Sequence, residues 1–295
     1  MNIDYELYRI FHRVASAGSF TKGAEELHIT QSAVSQAIKN LESRLGTALF
    51  LRDGRRIRLS QEGEVLFYHV SAGIRSFSAG ERSLNEMAGF DSGEVRIGVS
   101  DTICRYHLIP ILKEFTEAYP GIRIQLKNRT STGIMALLQQ GGIDFGIVTL
   151  QTVNGSFQVR PFRRIRDIFV ASERFGNLFN RACPLQELAA YPLLLLNSES
   201  ATRKQLDIFF KANNIDLYPA LELESVDLLQ EFAKIGFGIA HVEERSAAEA
   251  LDSGSLRRIE TEPALPEREL GIVSSGDVLP SRAAALMRDF LLRQE

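Results

Sequence analysis

The sequence predicts an all-α head with a β-hairpin, a connecting helix, and a two-lobed α/β body. Three observations predict it. The first sixty residues hold three short amphipathic helices followed by an arginine-ringed turn. Residues 61–89 contain no proline and repeat apolar residues at steps of three and four. From residue 93 onward, short apolar strands alternate with helical patterns.

The first helix reads from about Asp4 to Ala17. Leu7, Phe11, Val14 and Ala15 share one face, with Asp4 as N-cap and Gly18 as stop. A second helix follows Ser19, with Phe20, Ala24 and Leu27 inward. His28-Ile29 turns the chain, Thr30 caps a third helix to about Leu45, and Gly46 ends it. Val34, Ile38, Leu41 and Leu45 form the buried stripe of that helix. Its other face shows Gln31, Ser32, Ser35, Gln36 and Lys39. Gln and Ser suit hydrogen bonding to base edges in a major groove. A merely solvated face favours Glu and Lys, which are nearly absent here. After Gly46, Asp53-Gly54 signals a tight hairpin turn among Arg52, Arg55, Arg56 and Arg58. Arginines at a loop tip suit phosphates or a minor groove, so the element reads as a wing beside a helix-turn-helix.

A helix is expected from Gln61 to about Gly89. Phe67, Val70, Ile74, Phe77, Glu81, Leu84 and Ala88 make a heptad seam interrupted at Glu81. A second copy of the chain is the simplest partner for it, and packing on its own chain is the alternative. Gly89-Phe90-Asp91-Ser92-Gly93 reads as a hinge.

In the body, strands are expected at Glu94–Ser100, Ile122–Leu126 and Phe145–Leu150, with helices Leu108–Tyr119 and Thr132–Gln140 between them. A second set follows, with strands near Ile168–Ala171, Leu193–Leu196, Leu221–Leu223 and Gly238–His241. Its helices lie near Thr202–Asn213 and Val226–Ile235, and the chain returns through Leu270–Ser274 and Ser281–Leu292. The alternation calls for parallel sheets. In such sheets ligands sit beyond strand C-termini, against helix N-termini. Ser100, Asp101, Thr102, Thr130, Ser131, Thr149, Thr202 and Ser225 occupy such places, with Ser200 and Arg203 nearby. Taken singly, they are ordinary helix caps. As a cluster they would hold a small, anionic molecule, although Asp101 disfavours an anion close by.

Composition narrows the function classes. The chain has 295 residues, 44% apolar and 24% charged, and no apolar run of membrane-spanning length. The N-terminus lacks a signal-peptide core, so a cytoplasmic protein is expected. Residues 1–60 carry nine Lys/Arg against six Asp/Glu, and the rest 25 against 31, a basic head on an acidic body. Cys104 and Cys183 make neither a disulfide framework nor a metal motif. No nucleophile elbow, Walker loop or dinucleotide fingerprint appears, which argues against an enzyme. No cofactor and no metal are expected.

The run Ala17-Gly18-Ser19-Phe20-Thr21, Ala24-Glu25-Glu26-Leu27 and Thr30-Gln31-Ser32-Ala33-Val34-Ser35-Gln36, then Ile38, Leu41-Glu42, Leu45-Gly46, Leu49-Phe50 and Arg52, closely resembles the winged helix-turn-helix of LysR-type transcription regulators. The pattern continues through Leu59-Ser60 and Gly63. Leu108-Ile109-Pro110, Tyr119-Pro120, Gly142 to Val148 and Gly236 to Ala240 resemble that family's periplasmic-binding-protein-like effector domain. The resemblance implies a winged helix-turn-helix DNA-binding domain (1–60), a dimerising linker helix (61–89) and an effector-binding domain (90–295). Lobe I would be about 93–161 plus 268–295, and lobe II about 162–267. It implies that Gln31, Ser32, Ser35 and Gln36 read bases, while Thr30 and the wing arginines hold phosphates. The partners implied are double-stranded DNA, a small-molecule effector, a second copy (homodimer, commonly homotetramer) and RNA polymerase. A solute-binding or enzyme-like α/β protein with a vestigial DNA-binding head is the competing reading. Gly23 stands where the family tends to have alanine, and should weaken the second helix. Where the family's apolar stretch leads to a proline, this chain has His241, Glu243 and Glu244. His241 is expected as an interior or rim histidine.

Overall fold

The computed structural model describes residues 3–53, 56–87, 93–153, 157–276 and 279–294. The head begins with α1 (Tyr5–Ala17), α2 (Phe20–Leu27) and α3 (Gln31–Leu45). Each helix has a side-chain cap: Asp4 accepts from Glu6 N–H, Ser19 from Lys22 N–H and Thr30 from Ala33 N–H. Each ends on a left-handed residue, Gly18, His28 and Gly46. Their apolar faces meet in one core of Ile10, Phe11, Val14, Ala24, Val34, Ile38, Leu41 and Leu49. Gly23 does more than lower helix propensity. A Cβ there would lie 3.0 Å from Val14 Cγ2 and 3.1 Å from Val14 Cα, so glycine lets α2 sit close against α1.

The wing is β1 (Phe50–Asp53) paired antiparallel with β2 (Arg56–Leu59), in register from Phe50↔Leu59 to Asp53↔Arg56. Gly54 and Arg55, expected at its tip, lie outside the described residues. Ser60 then joins wing to linker helix. Its Oγ donates to Ala48 O at 2.7 Å and accepts from Gly63 N at 2.9 Å. The linker helix, α4 (Gln61–Met87), passes so close to the wing that a Cβ on Gly63 would meet Leu49 O at 2.1 Å.

The expected heptad seam is divided. Phe67 stacks on His12 at 5.2 Å, and Phe67 and Val70 pack against the head's own core. Phe77 is exposed apart from an edge contact with Tyr5, and Leu84 is 69% exposed. The first half of the seam therefore serves its own chain, because the head leaves an apolar face open beside α4. Ala88, Gly89 and the expected hinge through Ser92 lie outside the described residues.

The body starts with β3 (Gly93–Val99), α5 (Asp101–Ile103) and a π-turn Cys104–Leu108. Then come α6 (Ile109–Ala118), β4 (Ile122–Asn128), α7 (Ser131–Gln139), β5 (Phe145–Thr149) and β6 (Phe157–Ile165). The second lobe runs through β7 (Asp167–Ala171), β8 (Ala182–Pro184), α8 (Leu185–Leu188), β9 (Leu193–Leu196) and α9 (Ala201–Ala212). It continues with β10 (Leu221–Leu223), α10 (Val226–Lys234), β11 (Ile239–Glu243), α11 (Ala248–Asp252) and β12 (Arg257–Glu262). The chain returns as β13 (Arg268–Ser275) and α12 (Arg282–Leu292).

The sheets are mixed rather than parallel. In the first, ordered β4-β3-β5-β13-β6, the returning β13 runs antiparallel to both neighbours. In the second, ordered β10-β9-β11-β7-β12-β8, β7 runs antiparallel to β11 and β12. Because β6 pairs with β13 as far as Ile165, the first sheet keeps the chain to that residue rather than to 161. The linker helix touches the first lobe where Arg75 donates to Gln139 O at the C-terminal end of α7 and lies over Gly141.

Replacing Gly63 by alanine is expected to force α4 off Leu49 and lower head stability by about 1–3 kcal/mol, an overpacking cost. Thermal denaturation measures it, and an unchanged midpoint would show that the close approach carries no weight.

Candidate functional site

Two surfaces bring the predicted residues together. The first lies on α3. Val34, Ile38 and Leu41 anchor its inner side, leaving Thr30, Gln31, Ser32, Gln36 and Lys39 exposed and Ser35 half-buried. Thr30 Oγ1 and Ser32 Oγ are 3.0 Å apart, and Gln31 Nε2 reaches Ser35 Oγ at 3.5 Å. Glu42 is engaged elsewhere: its Oε1 accepts from Leu49 N at 2.7 Å and Phe50 N at 3.3 Å, tying α3 to the wing. The Arg52 and Arg56 backbones lie in the wing strands. Their side chains, like the whole of Arg55, lie outside the described residues.

The second surface is a cleft of about 690 Å³ between the lobes, lined by all eight residues predicted to face a ligand. Ser100, Asp101 and Thr102 follow β3. Thr130 caps α7, accepting from Gly133 N, and Ser131 opens that helix; Thr149 ends β5. Across the cleft, Thr202 lies in the first turn of α9 and Ser225 caps α10. Three helices of nine or more residues, α7, α9 and α10, therefore turn their N-termini toward one cavity. Asp101 and Glu224 accept from Asn128 and Asn197 along the rim, both at 3.2 Å.

Comparison with known proteins assigns this arrangement. The family described as the bacterial regulatory helix-turn-helix protein, lysR family, matches residues 5–64, and the LysR substrate binding domain matches residues 88–295. The chain belongs to the LysR family. Similar proteins include a probable RuBisCO transcriptional regulator of Cyanidioschyzon merolae, 28% identical across 94% of this chain and 93% of the relative. The transcriptional activator CmpR of Synechocystis is 28% identical across 81% of this chain and 78% of its own. Among solved structures, ArgP from Mycobacterium tuberculosis covers 99% of this chain and 97% of its own, with TM-score 0.72 at 21% identity. Full-length OxyR from Pseudomonas aeruginosa covers 99% and 94%, with TM-score 0.67 at 17% identity. The curated relatives are transcription regulators, so the chain is a LysR-type DNA-binding regulator and not an enzyme.

Sequence reasoning missed the floor of the LysR-type cleft. Arg268, opening β13, grips Asp167, opening β7: Nε to Oδ2 at 2.5 Å and Nη2 to Oδ1 at 2.6 Å. Arg268 Nη1 also donates to Thr149 Oγ1 at 3.3 Å. Beside them His107 of the π-turn faces Glu243 of β11, with Nε2 3.4 Å from Oε2 and both side chains buried. Arg105 donates to Asp227 of α10 at 2.6 Å, and Tyr106 OH donates to the same carboxylate, bridging the lobes at one rim. Burial and Asp227 push the Tyr106 phenol up to about 12. These pairings join residues far apart in sequence, and only the Glu243 departure was visible beforehand.

His241 is an interior residue, 3% exposed, against Phe169 and 4.0 Å from Asp167 Oδ2. Cys104 packs against the first lobe's core and Cys183 within the second's, both free. Burial raises both thiols, the opposite of the activation a redox switch needs. Among the described residues no His/Cys/Asp/Glu group could hold a metal ion, and no helix is long and apolar enough to cross a membrane.

Burial also pulls His12 and His241 down to about 4. Both stay neutral in the folded chain, while the unfolded chain takes up their protons below about 6.5. Their stabilisation is thus complete above pH 6.5 and declines as pH falls toward 4, by at most about 3 kcal/mol each. Denaturant melts between pH 7 and 4.5 should show this loss, and His241→Asn should flatten the slope. An unchanged slope would place the titration elsewhere.

Proposed function

We propose that this regulator lays α3 in the major groove of an operator, with Gln31, Ser32, Ser35 and Gln36 reading bases. In this reading Thr30, Lys39, Arg52, Arg55 and Arg56 hold phosphates. The observation that carries it is the exposed, carboxylate-free face of α3, set opposite a fully packed head core. Hydroxyl and amide groups on a rigid helix suit base edges, whereas phosphate contacts give affinity without sequence. The chain divides into reader (1–60), linker (61–89) and sensor (90–295). It works in the cytosol, where its duplex target would be, as a homodimer that pairs further into a tetramer. Phe77 and Leu84 of α4, with Tyr5 of α1 beside Phe77, are exposed and give an apolar flank for a second copy. A small molecule in the cleft contacts Ser100, Asp101, Thr102, Thr130, Ser131, Thr149, Thr202 and Ser225. By favouring one arrangement of the lobes, it alters how the paired heads meet their half-sites and the promoter's RNA polymerase. The names of the relatives, activators and operon regulators among them, support this output.

Gln31→Ala is expected to narrow the affinity gap between operator and random duplex by about 1–3 kcal/mol. Arg55→Ala should weaken both and reduce the salt slope by about one unit. Titrations of labelled duplexes at several salt concentrations measure both, and an unaltered gap in Gln31→Ala would remove it from the reading face. In a reporter assay, Thr102→Val should blunt the response to effector while operator affinity holds. A normal dose–response would take Thr102 out of the cleft's binding set.

A further inference from the structure

Glu243 is the group the fold leaves unexplained. It ends β11 and is a carboxylate only 5% exposed. One oxygen, Oε1, accepts from Arg245 N at 3.1 Å. The side chain borders the cleft, and its other oxygen, Oε2, is buried without a hydrogen-bond partner among the described residues. His107 Nε2, 3.4 Å away on the opposite lobe, is not aligned to donate, and both its ring nitrogens are equally unsatisfied. Among the described residues no lysine or arginine comes within ion-pair distance of Glu243; Arg163 feels its charge from the neighbouring groove, and the nearby Arg268 is locked to Asp167. A buried carboxylate oxygen without a donor is costly, and a charged donor satisfies it best.

The lining as a whole leans acidic, with Glu199 also paired to Lys204 at 3.5 Å. Asp101, Glu199, Glu224 and Glu243 face the cavity, against Arg129 and the already paired Arg268. We propose, on the reading that this cleft is the effector site, that the effector carries a protonated nitrogen and seats it on Glu243. The opposite wall suits an acid group. Arg129 makes no ion pair among the described residues and stands next to Thr130, at the N-terminus of α7. An amino acid satisfies both ends; a diamine satisfies Glu243 alone. Asp101 and Glu199 on the rim add attraction for a cation and weaken the case for a purely anionic ligand.

The test uses the full-length dimer in calorimetry and thermal-shift titrations with L-amino acids and linear diamines. Each compound is paired with a counterpart whose nitrogen is acetylated. At least one nitrogen compound should bind, its acetylated counterpart about tenfold or more weaker, and Glu243→Gln should weaken it about as much. That variant keeps Oε1 as acceptor for Arg245 N, and its ligand-free melting point shows whether it folds. If it does not, the acetylated pairs on the unaltered protein decide alone. Arg129→Ala separates the two sources, weakening an amino acid and sparing a diamine. Failure of every nitrogen compound, or binding indifferent to both acetylation and Glu243→Gln, overturns the proposal. If succinate or inorganic phosphate binds instead and Thr102→Val abolishes it, the cleft stands and the nitrogen is wrong. If a nitrogen compound binds yet ignores both Glu243→Gln and Thr102→Val, the cleft itself is misassigned.

Discussion

The chain crosses between its lobes twice, and the buried Arg268–Asp167 pair holds the two crossings side by side. Arg268 is the first residue of the returning strand and Asp167 the first of the departing one, so a single two-pronged contact fixes where both strands begin. Such a pair is a poor source of net stability, because each ion gives up its hydration to make it. What it supplies is geometry: two forked groups fit one another in one orientation. Thr149 at the end of β5 joins through Arg268 Nη1, and β11 is brought alongside through Glu243↔Asp167. The floor of the cavity is therefore set by the crossings rather than by either sheet alone.

Above that floor the cavity changes character. Its rim mixes the carboxylates of Asp101, Glu199 and Glu224 with hydroxyls and side-chain amides that also cap or follow secondary structure and can exchange partners. Its depth holds buried polar groups, of which Arg268 and Asp167 satisfy one another while Glu243 Oε2 and the His107 ring nitrogens have no hydrogen-bond partner among the described residues. The Arg105–Asp227 and Tyr106–Asp227 contacts add a bridge at one edge, where solvent access makes breaking them cheap. A pocket with firm crossings and an easily parted rim can open without unfolding.

The head was legible almost residue by residue, because capping is local. Asp4, Ser19 and Thr30 announce helices from within three residues, and Gly18 and Gly46 end them by their own backbone freedom. The cleft hydroxyls were legible for the same reason, since the ends of strands and helices are marked in sequence. Other features were hidden. β6 carries Pro161 and three arginines and buries little of its length, as an edge strand can, so no alternation betrayed it. The direction of β13 depends on which strand receives it, which periodicity does not encode. The heptad spacing of α4 was real, yet spacing does not say whether the partner is another molecule or the neighbouring helix, and Phe67 found His12. Gly23 looked like a weak point because propensity is a property of one helix, while its use lies between two. Arg268–Asp167 and His107–Glu243 join residues more than a hundred positions apart and had no local signal.

The placement of α7 has a mechanical consequence. One end of this nine-residue helix borders the cavity at Thr130 and Ser131, and the other supports Arg75 of the linker helix at Gln139. It spans roughly 13 Å without a break, and an α-helix resists compression along its axis far better than a loop does. With no slack segment between its two ends, a displacement of its cavity end would be passed to the shaft that carries the head, as a rod passes thrust from piston to crank.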